Sequence, residues 1–295
     1  MNARRLAWVL LAVGAGIGTA LDAPRTQAPL VVNGYQVLEA DFHVHAFFGD
    51  GFLAPWDLAL EARRRNLHAF ALTNHNQTLT ARFGRWFLRH VGGPIVLVGE
   101  EVTNPRYHLI GVGLSSTVAW DQPAAAAIAA IHLQGGVAIA AHPVAGYAEA
   151  YDDVALRTLD AAEAAHPTEY SQDKAAEMRA FWEHAHRRGA HLTAIGSSDF
   201  HALSGFGLCR THVFVRDVSE AGILAALREG HTVAFDPEGQ AHGEAALVGP
   251  LREALQSRVL PRPPQVLDGV GRVCGLVGLL GLVFLAPRRD GTEPD

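Results

Sequence analysis

The chain has 295 residues, of which 49% are hydrophobic and 18% charged, and its formal net charge is −6. This length and composition fit one large globular domain with apolar terminal segments, and the dispersed basic residues exclude the basic stripe of a nucleic-acid-binding protein. The two cysteines, Cys209 and Cys274, are too few for a disulfide framework. The unusual component is histidine, which occurs 16 times.

The N-terminus has the pattern of an export signal. Arg4 and Arg5 precede an uncharged apolar stretch that ends at Leu21. A short basic region followed by such a stretch predicts a signal peptide or a signal anchor within residues 1–24. No small-x-small cleavage site stands out, so both alternatives stay open.

Short apolar runs alternate with helical patterns between residues 30 and 245. Strands are predicted at 37–44, 69–73, 95–102, 109–114, 137–141, 191–196 and 212–215. Helices are predicted at 55–65, 124–133, 171–188 and from Ser219 to about residue 230. This alternation favours parallel strands with helical crossovers, a fold whose chemistry gathers beyond the carboxyl ends of the strands.

The C-terminal part resembles a second membrane segment. A linker is predicted at 246–265, a transmembrane helix at 266–287 and a cytoplasmic tail at 288–295. Basic residues flank both apolar ends of the chain on the sides away from the middle. The positive-inside rule then places both tips in the cytoplasm and the middle domain on the periplasmic or extracellular side of the cytoplasmic membrane.

Metal-ligand residue types stand where the apolar runs of the middle region end. The first run ends in Asp41-Phe-His43-Val-His45, and residues two apart face the same side of a strand, so both histidines can point at one ion. Asp50 follows five residues later. The later runs add the candidates His75, one of Glu100 and Glu101, His108, His142, Asp199 and His201. Imidazole and carboxylate ligands together suit zinc, iron or manganese, and their number predicts two or three divalent ions.

In chain order these motifs resemble those of the PHP (polymerase and histidinol phosphatase) family of metal-dependent hydrolases. The matching motifs are Asp-Phe-His43-Val-His45 with Asp50-Gly51, Thr-x-His75-Asn, Gly-x-Glu101, Ala-His142-Pro and Gly-Ser-Ser-Asp199-Phe-His201. The resemblance covers about residues 37–235. It implies an α/β fold, a distorted (β/α)7 barrel.

The resemblance also implies how the ligands are shared among three ions. The first ion would be held by His43, His45, Glu101 and Asp199. The second would be held by Glu101, His108 and His142, and the third by Asp50, His75 and His201. Asn74 stands where family members commonly have aspartate, which removes a negative charge beside His75.

The predicted activity is hydrolysis of a small phosphate ester by a hydroxide that bridges the ions. Arg106, His166 and Arg210 are candidates for binding substrate anions or protonating the leaving group. An exported carbamate, amide or ester hydrolase of the same family is the alternative, favoured by the short Glu101–His108 spacing and by the few arginines near the motifs. A third reading is a non-catalytic metal-binding membrane protein.

Overall fold

The computed structural model of the chain describes residues 2–21, 27–167, 171–202, 205–236, 238–257 and 265–285. It contains two compact units. One unit is Arg25–Ser257, here termed the barrel unit, and the other combines the two ends of the chain.

Strands and helices alternate along most of the barrel unit. The strands are β1 (Leu30–Val32), β2 (Tyr35–Val44), β3 (Ala69–Leu72), β4 (Ile95–Asn104), β5 (Tyr107–Val112), β6 (Val137–Ala140), β7 (Ala161–Ala165), β8 (Thr193–Gly196), β9 (Thr211–Val215), β10 (Thr232–Phe235) and β11 (Ala241–Gly243). The helices are α2 (Pro55–Arg64), α3 (Leu79–Val91), α4 (Ala124–Leu133), α5 (Asp153–Thr158), α6 (Gln172–Arg187), α7 (Glu220–Glu229) and α8 (Ala245–Ser257).

The strands form one nearly closed sheet in the order β11-β10-β9-β2-β3-β4-β5-β6-β7-β8, with β1 paired to β2. Side chains link β8 back to β9 and β10, since the Thr211 hydroxyl donates to the Gly196 carbonyl and the Thr232 hydroxyl donates to the Ala194 carbonyl, both at 2.7 Å. The predicted barrel-like α/β fold is therefore confirmed.

The sheet is mixed, which differs from the expectation of parallel strands throughout. The pairs β2–β3, β3–β4, β6–β7 and β7–β8 are parallel. β5 is antiparallel to both β4 and β6 because a short turn, not a helix, joins β4 to β5. As a result, the start of β5 lies beside the ends of β4 and β6.

Apolar residues occupy both faces of the strands. In β3, Phe70 and Leu72 belong to a core cluster with residues of α2 to α6, whereas Ala69 and Ala71 belong to a second cluster with residues of α7. Burial on both faces is expected where helices cover a sheet, and it leaves the strand ends as the place for polar groups.

The barrel unit continues past the predicted boundary at residue 245. Helix α8 covers much of the predicted linker, and its Leu247 and Leu251 pack with Val32, Val37 and Phe214. Residues 258–264 and the predicted tail at 288–295 lie outside the described residues.

The second unit contains α1 (Ala3–Leu21) and α9 (Gln265–Phe284). Gly14 lies against Gly275, while residues earlier in α1 lie against Gly278 and Gly281, so the two helices pack in antiparallel directions. Within the described residues, α1 is the helix that is long and apolar enough to cross a membrane. The apolar part of α9 covers only 269–284, so the C-terminal span stays a prediction.

Candidate metal centre

All nine predicted ligands lie together at the end of the barrel where β2, β4, β6 and β8 finish. Each is within 3.5 Å of at least one other member of the group. The fold brings them there from strand ends, from the loop that follows β2 and, for His108, from the start of β5.

Four of these side chains surround one point. The Nε2 atoms of His43 and His45 each lie 3.3 Å from Glu101 Oε2, and they lie 3.2 and 3.3 Å from Asp199 Oδ1. Four ligand atoms at the corners of a tetrahedron, each about 2.0–2.1 Å from an ion, are about 3.3 Å apart. The four nitrogen–oxygen distances therefore fit ligands of one ion.

The same four atoms are buried and have no hydrogen-bond partner among the described residues. The opposite ring nitrogens do have partners, since His43 Nδ1 lies 2.9 Å from Glu163 and His45 Nδ1 lies 2.9 Å from Asp50. A carboxylate on Nδ1 holds the tautomer in which Nε2 offers its lone pair to a metal. These residues fit a divalent cation.

Glu101 also faces a second group through its other oxygen. Its Oε1 lies 2.7 Å from His108 Nδ1 and 3.3 Å from His142 Nε2. A carboxylate with each oxygen in a separate group of ligands can bridge two ions, as paired-metal hydrolases require.

Asp50 organises the third group. Its Oδ2 lies 3.0 Å from Nε2 of both His75 and His201, while its Oδ1 contacts His45 Nδ1. The three predicted ligands of a third ion therefore converge on one oxygen. This group is the most exposed of the three.

The site contains carboxylates whose negative charge a bound cation would neutralise. Within the described ranges, no lysine or arginine forms an ion pair or a hydrogen bond with any of the nine residues, and the buried carboxylates face only histidines. Burial alone would lower the pKa of His45, but Asp199, Asp50 and Glu101 raise it to about 10. Burial would raise the pKa of Glu101, and the surrounding histidines lower it well below its ordinary range. Protonated histidines thus supply the positive charge that a bound ion would otherwise supply.

The loop that carries Asp50 is fixed by Asn74. The Asn74 amide accepts from the Ala46 N–H at 2.8 Å and donates to the Ala46 carbonyl at 2.9 Å. An aspartate could accept the first bond but has no N–H for the second. The departure from the family residue thus has a structural role in this chain.

Glu163 is a residue of the centre that the sequence motifs do not identify. Its carboxylate is fully buried, contacts His43 Nδ1, and accepts from the backbone N–H of His142 and the hydroxyl of Ser197. Burial would raise the pKa of Glu163, but neighbouring histidines, His166 first, lower it to about 2. The available signal is a single carboxylate in an alanine run that ends in His166.

The three candidate substrate residues are placed differently. His166 is buried in the centre, with its Nε2 3.9 Å from Asp199 Oδ2. Arg106 is exposed on the turn between β4 and β5. Arg210 binds Glu39 and the backbone carbonyls of Arg65 and Gly207. Glu39 lies four residues before His43 in β2, about 13 Å away, so Arg210 does not reach the centre.

No protein-family model matches the sequence. One solved structure that is similar to the chain is a two-domain protein from Bacteroides vulgatus that contains a predicted PHP-like metal-dependent phosphoesterase. The TM-score is 0.61 and the identity 23%, over 79% of this chain and 74% of that one. The chain therefore has the PHP-like fold, which confirms the fold that the motifs imply.

Two further similarities are more distant. A proposed metal-dependent phosphoesterase from Bifidobacterium adolescentis has a TM-score of 0.45 and 19% identity, over 63% of this chain and 96% of that one. An uncharacterized protein of Methanocaldococcus jannaschii is 26% identical over 39% of this chain and 74% of its own length.

Proposed function

We propose that this PHP-like barrel is a metal-dependent hydrolase, and specifically a phosphoesterase that acts on a small phosphate ester with two or three divalent ions of zinc, manganese or iron. The observation that carries the proposal is the set of four buried, unpartnered atoms of His43, His45, Glu101 and Asp199, spaced for one ion. When bound, such ions make hydroxide available near neutral pH and polarise the bond under attack.

The protein's own groups position this chemistry. Glu101 holds two groups of ligands at a fixed separation, and Glu163 and Asp50 orient His43 and His45. Burial lowers the pKa of His166 to about 4, so its ring is neutral at pH 7 and has no imidazolium proton to give to a leaving group. His166 is therefore proposed as a neutral ring that lines the site beside Asp199 and not as the general acid.

One observation favours the alternative substrate class. Phosphate groups are commonly bound by arginine or lysine, and the described part of the chain brings neither into contact with the nine ligands. An uncharged carbamate, amide or ester needs no such clamp. The bound ions themselves can bind a phosphate, so we keep the phosphoesterase as the first proposal.

The test is metal content together with turnover of nitrophenyl phosphate, bis(nitrophenyl) phosphate and nitrophenyl ester substrates by the full chain. A double variant, His43→Ala with His45→Ala, is the control. Two or three ions per chain with phosphate release that the control loses would support the phosphoesterase. Turnover of the ester alone would favour the alternative, and a chain without bound metal would contradict both.

We also propose that α1 is a signal anchor that holds the barrel unit on the periplasmic or extracellular side of the cytoplasmic membrane. Its length and apolar character support this proposal, as do Arg4 and Arg5 at its start. A reporter enzyme that is active only in the cytoplasm, fused after residue 257, should then be inactive.

A further inference from the structure

Eight large apolar side chains in one region of the chain, residues 47–86 of the barrel unit, are exposed to solvent. They come from the loop after β2, from α2 and from α3, and are here termed the aromatic surface: Phe47, Phe48, Phe52, Trp56, Leu60, Leu79, Phe83 and Trp86. They are more than half of the large apolar side chains exposed in the described part of this unit. Such a concentration marks an interaction site and not random exposure.

Within the aromatic surface, rings of the loop contact each other, and rings of α2 and α3 contact each other. Ring centroids are 4.9 Å apart for Phe47 and Phe48, 6.4 Å for Trp56 and Phe83, and 5.9 Å for Phe83 and Trp86. In α3, Leu79, Phe83 and Trp86 follow one another at spacings of four and three residues, which places them on one side of the helix.

In the loop after β2, backbone contacts keep the rings of the aromatic surface exposed. Phe52 N–H donates to the His201 carbonyl at 2.7 Å, and Phe47 N–H donates to the Leu53 carbonyl at 2.8 Å. Phe48 has a φ of 75°, a left-handed conformation that is costly for an aromatic residue. These rings are 54–77% exposed although folding inward would remove them from water. The fold therefore maintains their exposure.

The charge of α3 suits the headgroup region of a bilayer. The helix carries Arg82, Arg85 and Arg89 and no acidic residue, in a chain whose net charge is −6. Arg85 and Arg89 pair with Glu220, and Arg82 has no ion pair among the described residues. Aromatic and leucine side chains next to arginines are the composition of helices that lie in a membrane interface.

The chain itself supplies a connection to a membrane. Helix α1, which is apolar enough to cross a bilayer, ends at Leu21, and the barrel unit is described from Gln27. Six residues span at most about 21 Å. The Gln27 N–H donates to the Asn66 side chain, and the Gln27 carbonyl lies 3.3 Å from His68 Nε2. Both partners lie just after α2, the helix that carries Trp56 and Leu60. The chain therefore enters the barrel unit next to an element of the aromatic surface.

We propose that the aromatic surface docks the barrel unit on the lipid bilayer that contains α1. The rings of the loop and of α2 and α3 insert among the acyl chains close to the headgroups, and the arginines of α3 lie at the level of the phosphates. This proposal does not depend on the reaction that the metal centre performs.

The test uses nitroxide labels on the full chain in nanodiscs of phosphatidylcholine and phosphatidylglycerol. Cys274 is replaced by alanine, and Cys209 is buried and does not react. Labels are placed in turn at Phe48→Cys, Trp86→Cys and, as a control outside the aromatic surface, at Leu133→Cys, an even more exposed apolar position. Power saturation then compares the access of oxygen, which concentrates in lipid, with that of a water-soluble nickel complex.

We expect the ratio of oxygen access to nickel access to be severalfold higher at 48 and 86 than at 133. A nickel access at 48 and 86 that equals the value at 133 would overturn the proposal. Protection from both reagents would also overturn it, because that result reports a protein partner or a second copy of the chain. Two labelled positions on separate elements guard against a local effect of one substitution.

Discussion

Glu101 and Glu163 have different tasks although both are buried carboxylates. Each oxygen of Glu101 faces a separate group of imidazole nitrogens. Glu163 lies behind His43 and connects three chain segments, at His43, His142 and Ser197. Glu101 is therefore suited to bind ions, and Glu163 to orient the residues that do.

Replacing Glu163 by glutamine should weaken metal binding about 10- to 100-fold, the usual effect of losing a carboxylate behind a ligand. The amide keeps an acceptor for His43, but its NH2 group would face the backbone N–H of His142, a donor against a donor. Competition with a chromophoric chelator measures the affinity. Glu183→Gln on exposed α6 is the matched control, and equal affinities for the two variants would contradict the positioning role.

The nine ligands can be predicted from the sequence because they end apolar runs in a recognisable order. Glu163 cannot, since Ala161-Ala-Glu163-Ala-Ala165 has the residues of a helix and only the sheet makes it β7. Arg210 is the opposite case, a residue that its position in the sequence suggests and that the structure does not bring to the centre. It follows the last metal motif in sequence, but in the structure it binds Glu39 and not the ligands of the centre.

At the scale of elements, the loop between β2 and α2 is shaped by two glycines that approach other backbone or side-chain atoms. A Cβ on Gly51 would lie 2.2 Å from the carbonyl of His45, and one on Gly49 would lie 2.2 Å from the Asn74 amide. Only glycine allows this close approach. The position of Asp50, which lies between Gly49 and Gly51 in the chain, depends on this close approach.

Gly51→Ala should therefore displace Asp50 and reduce binding at the group of Asp50, His75 and His201 more than at the group around Glu101, where Asp50 only orients His45. The metal content by mass spectrometry should fall by one ion per chain without unfolding. Gly249→Ala, where the added Cβ meets nothing within 4 Å, is the control. An unchanged metal content in Gly51→Ala would contradict the assignment of the third group.

Helix α3 is one of the elements that the sequence analysis does not predict. Its pattern is that of an amphipathic helix, since Arg82, Arg85 and Arg89 share one side and apolar residues occupy the rest. Part of the apolar side is buried, at Ala81 and Leu88, and part belongs to the aromatic surface. The sequence therefore carries the signal for this helix.

At the scale of the whole molecule, protonated histidines contribute part of the free energy of unfolding of the metal-free protein. The pKa of His45 is raised to about 10 from an ordinary value of 6.5, so its contribution is complete below about pH 6.5 and is lost as the pH rises through 10. The pKa values of Asp50 and Asp199 are lowered, so their contributions are present above about pH 4 and are lost as the pH falls further. Metal-free stability should be greatest between these limits.

We expect the free energy of unfolding of chelator-treated protein to fall between pH 7 and pH 10, by up to about 1.4 kcal/mol per pH unit for each proton released. Bound ions should remove this fall because their histidine ligands are already deprotonated. Urea unfolding at several pH values, with and without metal, measures both. A metal-free stability that stays constant or rises over this range would contradict the prediction.

The antiparallel pairing of α1 and α9 bears on whether the N-terminal segment survives export. At Gly14 the two backbones touch so closely that a Cβ would lie 2.3 Å from the Gly275 nitrogen. Proteolytic removal of α1 would leave the glycines of α9 without the helix against which they pack. Mature protein purified from cells should therefore retain Arg4 and Arg5 in its intact mass, and a mass that begins after Leu21 would show that α9 stands alone.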